Sequence, residues 1–113
     1  MLIMISMLAA MQTAPTPAQA NDLDTRVRAV RSCMDAASLR LEPSGEAAPV
    51  IADAAMMACD NEREEVEVLV RSLAATPEGG ETMAREVMTT LDGEMRRRAL
   101  LQVVELRASR RVP

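Results

Sequence analysis

Two cysteines, Cys33 and Cys59, stand equally far from Glu46, and near that midpoint the chain reads Leu41-Glu42-Pro43-Ser44-Gly45-Glu46. Pro, Ser and Gly in succession mark a turn, and helical patterns run up to it from both sides. A chain that reverses there sets the two cysteines level on antiparallel helices, within reach of a short covalent bridge. Closing that loop stabilises the fold by about 3.5 kcal/mol through the entropy it removes from the unfolded chain. The sequence therefore predicts an all-α fold. Its centre is a disulfide-pinned antiparallel helical hairpin over 21–75, followed by a C-terminal helical segment over 81–108.

The apolar spacing supplies the helices. Leu23, Val27, Val30, Met34, Ala37 and Leu41 recur at intervals of four and three, which lays one apolar stripe along a helix from Asn21 to Glu42. Asn21 or Asp22 can cap its start. Past the turn, a second helix is expected from Ala48 or Pro49, with Ile51, Ala55, Ala58, Glu62, Val66, Leu69 and Leu73 on one face. Glu62 is the flaw in that stripe. The alanines of the first half let a partner helix approach closely. Asp60-Asn61 offers a break, so this limb is one long helix or two. Thr76-Pro77-Glu78-Gly79-Gly80 reads as a linker. Beyond Glu81, Ala84, Met88, Leu91, Met95, Ala99, Val103 and Leu106 resume the stripe. Gly93 interrupts it at a cost of about 1 kcal/mol relative to Ala. The count is three helices, or four if Gly93 breaks the last, with Ser109 to Pro113 frayed. Acid-first pairs at i,i+4 (Asp22–Arg26, Asp24–Arg28, Glu81–Arg85, Asp92–Arg96, Glu94–Arg98) each add a few tenths of a kcal/mol.

The first twenty residues have the layout of an export signal. Leu2 to Met11 is an apolar run of h-region length, and Ala18-Gln19-Ala20 is an A-x-A cleavage pattern. The run is short of the roughly 20 apolar residues a membrane span needs. No Lys or Arg precedes it, so a start farther upstream or a weak signal is the corollary. Residues 1–20 are expected to be a signal peptide cleaved after Ala20, leaving 21–113 as a single small helical domain, periplasmic or secreted and without a transmembrane span. In an oxidising compartment the two cysteines pair.

Composition closes several functional classes. The chain has no His, Phe, Tyr or Trp. Ser-His-Asp and Cys-His catalysis is therefore absent, as is zinc ligation by His. No Gly-rich phosphate loop occurs, and we expect no enzyme and no cofactor. The formal charge is −4, with 13 basic residues (every one an Arg) and 17 acids. An acidic chain without stacking platforms is a poor partner for nucleic acid. Charge is unevenly placed. Asp60, Glu62, Glu64, Glu65 and Glu67 form a possible acidic patch around Arg63. Arg96, Arg97, Arg98, Arg107, Arg110 and Arg111 form a possible basic one. Either the two make a bipolar docking surface or basic end, or they face one another or lie on solvated helix faces. Met34, Met56, Met57, Met83, Met88 and Met95 serve as core filler where aromatics are missing. With the cysteines they could also be arranged as a soft Cu(I) site.

These features predict a non-enzymatic, exported bacterial helical protein of the envelope that binds a protein or peptide. In size and cysteine count the chain is similar to the small all-helical, disulfide-bonded acid-stress chaperones of the periplasm. That likeness is one of kind, carried by no shared motif, and it implies opening in acid. Cu(I) binding and a purely structural role in a homodimer are the remaining expectations.

Overall fold

A threonine followed by proline opens both long helices. Residues 15–111 are described in the computed structural model, as α1 (Pro17–Leu41), a 3-10 turn (Glu42–Ser44), α2 (Ala48–Ala58), α3 (Asp60–Ser72) and α4 (Pro77–Arg110). At the start of α1 the Gln19 N–H donates to Thr16 Oγ1 (3.2 Å) and the Thr16 N–H donates to Gln19 Oε1 (2.8 Å). This reciprocal box satisfies two otherwise unpartnered donors. Pro17 sits at the first helical position, where its missing N–H costs nothing. Thr76 repeats the device for α4, accepting from the Gly79 N–H at 3.0 Å with Pro77 behind it.

Both starts correct the expectation. α1 begins at Pro17 rather than Asn21, and α4 begins at Pro77 rather than Glu81. In each case proline marks a helix entry. The expected cleavage point after Ala20 thus falls within the first turns of α1, where residues 15–22 are all exposed. The apolar run Leu2–Met11 lies outside the described residues. So do Val112 and Pro113; Ser109 and Arg110, expected to fray, are the last residues of α4.

The fourth helix arises at Cys59, not at Gly93. Cys59 has φ −105° and ψ 18°, and its N–H is shared among the Ala55, Met56 and Met57 carbonyls. That bend separates α2 from α3. Gly93 lies inside an unbroken helix of 34 residues, with open space where a Cβ would stand. The bend also shifts the stripe. Ala58 is exposed and Cys59 is fully buried, the reverse of the expected phase.

The hairpin reverses through the 3-10 turn to Gly45, whose φ of 78° is the left-handed conformation that glycine adopts without a Cβ clash. Cys33 and Cys59 lie at disulfide distance, with a Cα–Cα separation of 5.9 Å. Ala37 on α1 and Ala52 and Ala55 on α2 are buried nearby; these are the small residues that permit close approach. Core positions continue with Val30 and Met34 on α1, Val66 and Val70 on α3, and Ala84, Leu91, Met95, Ala99 and Val103 on α4. Full burial of a Val or Met side chain stabilises by about 1.5–3 kcal/mol. Val103 aside, these residues make one core, shared by all four helices.

α4 lies along both limbs of the hairpin. Its Arg96 meets Asp53 of α2 and its Asp92 meets Arg63 of α3, so it runs antiparallel to α2 and α3. Its Arg98 meets Asp35 and its Arg110 meets Glu42, so it runs parallel to α1. Gly80 makes the join at the α3–α4 turn, since a Cβ there would come within 2.8 Å of the Arg71 carbonyl oxygen. Among the described residues there is no strand, and no helix is long and apolar enough to cross a membrane.

Candidate functional site

The arginines of the last helix are used mainly to hold that helix down. Arg98 donates from Nε and Nη2 to the two oxygens of Asp35, at 2.8 and 2.9 Å. Arg96 pairs with Asp53. Arg110 donates to both oxygens of Glu42, and Arg107 approaches the same carboxylate while donating to the Glu46 carbonyl. Arg97 and Arg111 are exposed. The basic residues are therefore distributed along α4 against α1, the turn and α2. The pairs Asp92–Arg96 and Glu94–Arg98 expected within α4 give way to pairs between helices, whereas Asp22–Arg26 and Asp24–Arg28 on α1 are present.

The acids of α3 have separate partners. Asp60 accepts from Arg63 Nη1 at 2.7 Å, Glu65 from Arg26 at 2.9 Å, and Glu67 from Arg71 at 2.9 Å. Glu64 is exposed. Arg63 also reaches across to Asp92 with two bonds of 2.8 and 2.7 Å. The Asp92 hydrogen bond, helped by the charges of Asp92 and Asp60 against the cost of burial, holds the Arg63 guanidinium above its ordinary range. The hydrogen bond and charge of Asp35 do the same for Arg98. Among the described residues, no Arg of the basic set pairs with an acid of the α3 set.

Glu42 is the residue that sequence reasoning passed over. Its side chain is fully buried, and it joins the hairpin turn to the end of α4 through Arg110. A lone Glu at a helix end carries no sequence signal of burial, because its partners lie on the far side of the fold.

Two open grooves flank α1. The polar one, about 540 Å³, lies toward α3 and is lined by Arg26, Asn61, Glu64, Glu65, Val68, Leu69 and Ser72. The apolar one, about 350 Å³, lies toward α4. Val27, Val87 and Leu91 form its floor, and Glu86, Thr90 and Glu94 its rim. Leu39, Val50, Met57, Val68, Leu101 and Val104 are large apolar side chains at least half exposed.

The methionines divide. Met34 and Met95 are buried, Met56, Met83 and Met88 pack against the core from its edge, and Met57 is exposed. Around the cysteines the notable neighbour is Glu62. Its carboxylate and both sulfurs lie within 4.8 Å of one another. One of its oxygens, Oε2, is buried without a hydrogen-bond partner.

Compared with protein-family models, curated proteins and solved structures, the chain finds no match.

Proposed function

We propose that the chain is an exported, non-enzymatic helical protein of the bacterial envelope that binds a protein or peptide segment in the groove between α1 and α4. The groove itself carries the reading. Its floor of Val27, Val87 and Leu91 is apolar, and Glu86 and Glu94 on its rim are exposed. That combination suits an amphipathic helix presenting apolar anchors flanked by Lys or Arg. A cysteine pair at bonding distance supports an oxidising location, and the A-x-A pattern at Ala18–Ala20 supports export.

The test uses a labelled basic amphipathic helical peptide, titrated against the oxidised protein and a Val87→Asp variant. Val87 is only partly buried, so the variant is expected to fold. Saturable binding that weakens at least about tenfold in the variant, and also in high salt, supports the proposal. No binding, or equal binding by both proteins, contradicts it.

The links between α4 and the hairpin favour a second reading, an acid-stress chaperone. Asp35, Glu42, Asp53 and Asp92 each hold α4 or are held by it through an arginine. In strong acid, carboxylates in general lose their charge while guanidinium groups keep theirs. The arginines would then repel, and α4 would lift from a hairpin still pinned at Cys33–Cys59. Suppression of client aggregation at pH 2–3 but not at pH 7 is expected on this reading, and no protection at either pH removes it.

A further inference from the structure

Glu62 is an acid on an otherwise apolar stripe, and the structure places it beside the two cysteine sulfurs with one buried oxygen unpartnered. A buried carboxylate oxygen left without a donor costs free energy unless a cation or proton meets it. No guanidinium does so here: the adjacent Arg63 is turned to Asp92 and Asp60. The geometry points to a divalent-metal site that exists only when Cys33 and Cys59 are reduced, with the two thiolates and the Glu62 carboxylate as its protein ligands.

The local fold presents these groups as a ligand set. Cys59 and Glu62 are separated by two residues across the bend between α2 and α3, a spacing that zinc sites use for ligand pairs. Cys33 comes from α1 on the opposite side, so the site would tie the two limbs of the hairpin together. With metal–sulfur bonds of about 2.3 Å and metal–oxygen bonds of about 2.1 Å, a tetrahedral ion sets its donors roughly 3.4–3.8 Å apart. In the oxidised protein the two sulfurs are bonded to each other and both lie within 4.8 Å of a Glu62 oxygen; once that bond is reduced, side-chain torsions can part the sulfurs and draw in the carboxylate. Cys33 is only partly buried, which leaves an entry path and room for water as a fourth ligand. The carboxylate decides the class of ion. Two thiolates alone would suit Cu(I), but a hard oxygen donor beside them favours a borderline divalent ion such as Zn²⁺.

The change of state balances with a dithiol as reductant. Thiol–disulfide exchange passes two electrons to the Cys33–Cys59 bond, forms two S–H groups, and releases the donor as its own disulfide. Binding Zn²⁺ then displaces the two thiol protons. Exchange with a disulfide oxidant, which takes up the two electrons and leaves as its dithiol, re-forms the Cys33–Cys59 bond, removes both sulfur ligands and releases the ion. One site would thus pin the hairpin covalently when oxidised and through the metal when reduced.

The experiment is an anaerobic Co²⁺ titration of protein reduced with dithiothreitol and desalted, followed by absorption and far-ultraviolet circular dichroism. Expected are one equivalent of Co²⁺ with thiolate-to-cobalt charge-transfer bands, displacement by Zn²⁺, and no bands from the oxidised protein. Glu62→Gln should retain the bands but weaken binding at least about tenfold. The proposal is overturned if the reduced protein gives no such bands, or if E62Q titrates like the wild type. Loss of helix on reduction leaves the test decisive, because the metal must then restore both helix and bands, and failure to do so also overturns it.

Discussion

Glu62 and Arg63 are adjacent in sequence and opposite in circumstance. Glu62 keeps a buried oxygen without a partner, while Arg63 bridges Asp60 on its own helix and Asp92 on α4. The Arg63–Asp92 contact is two-pronged, and the arginine side chain is only 22% exposed, so it is worth more than an open surface pair. A double-mutant cycle of Arg63→Ala and Asp92→Ala, read by urea unfolding, is expected to give a coupling of about 1–2 kcal/mol. Additive losses would show that the contact is decorative. The raised pKa of Arg63 fixes the sign of its pH dependence. A folded-state value above the unfolded one means that its contribution is complete at acid and neutral pH, and it is lost only as pH rises through the strongly alkaline folded value. Any acid instability therefore comes from carboxylates. At this scale the sequence was legible for the local pairs Asp22–Arg26 and Asp24–Arg28 but not for the equally local Glu81–Arg85, Asp92–Arg96 and Glu94–Arg98, which do not form among the described residues. It was not legible for Arg96 and Arg98, whose partners Asp53 and Asp35 are brought near only by the packing of α4.

Among the elements, the apolar stripes of α1 and α4 were readable residue by residue, because a single uninterrupted period produced them. On the α2–α3 limb, Ile51, Ala55 and Val66 were readable but Ala58 was not. The bend at Cys59 shifts the phase locally, and Ala58 and Cys59 exchange their expected places. The starts of α1 and α4 were misplaced, whereas that of α2 at Ala48 was read correctly. Thr16-Pro17 and Thr76-Pro77 resemble breaks when proline is weighed alone, yet each is a cap followed by a first helical residue. Glycine gives two opposite expectations for α4. Gly93 is exposed with nothing near its missing Cβ, so Gly93→Ala should stabilise by about 0.5–1 kcal/mol. Gly80 abuts the backbone of Arg71, so Gly80→Ala should destabilise by about 1–3 kcal/mol. Thermal melts of the two variants check this. Shifts of the same sign would mean that α4 is not seated against α3 as described.

At the scale of the whole molecule, one disulfide and a set of inter-helix ion pairs organise a core that contains no aromatic residue. Such a core is modest, and the staple supplies a large share of its stability; replacing both cysteines by serine should cost about 3.5 kcal/mol, less any strain relieved. Export would fit this arrangement. Removing the chain through Ala20 discards the Thr16 cap and the first residues of α1, all of them exposed. Asn21 or Asp22 can then cap the shortened helix, so the loss is about 1 kcal/mol and the core is untouched. The hairpin was legible from Cys33, Cys59 and the turn between them, because a covalent pair constrains topology directly. The groove between α1 and α4 was not, since it depends on how two helices pack.

Export, and closure of the chain between Cys33 and Cys59, are the proposals on which the others depend. Their most direct test is the intact mass of the protein recovered from the envelope of expressing bacteria, with thiols blocked before and after reduction. The expected chain begins at Asn21 and takes up the blocking reagent at two sites only after reduction. A chain that retains Leu2–Met11 and is blocked at both cysteines without reduction would contradict them.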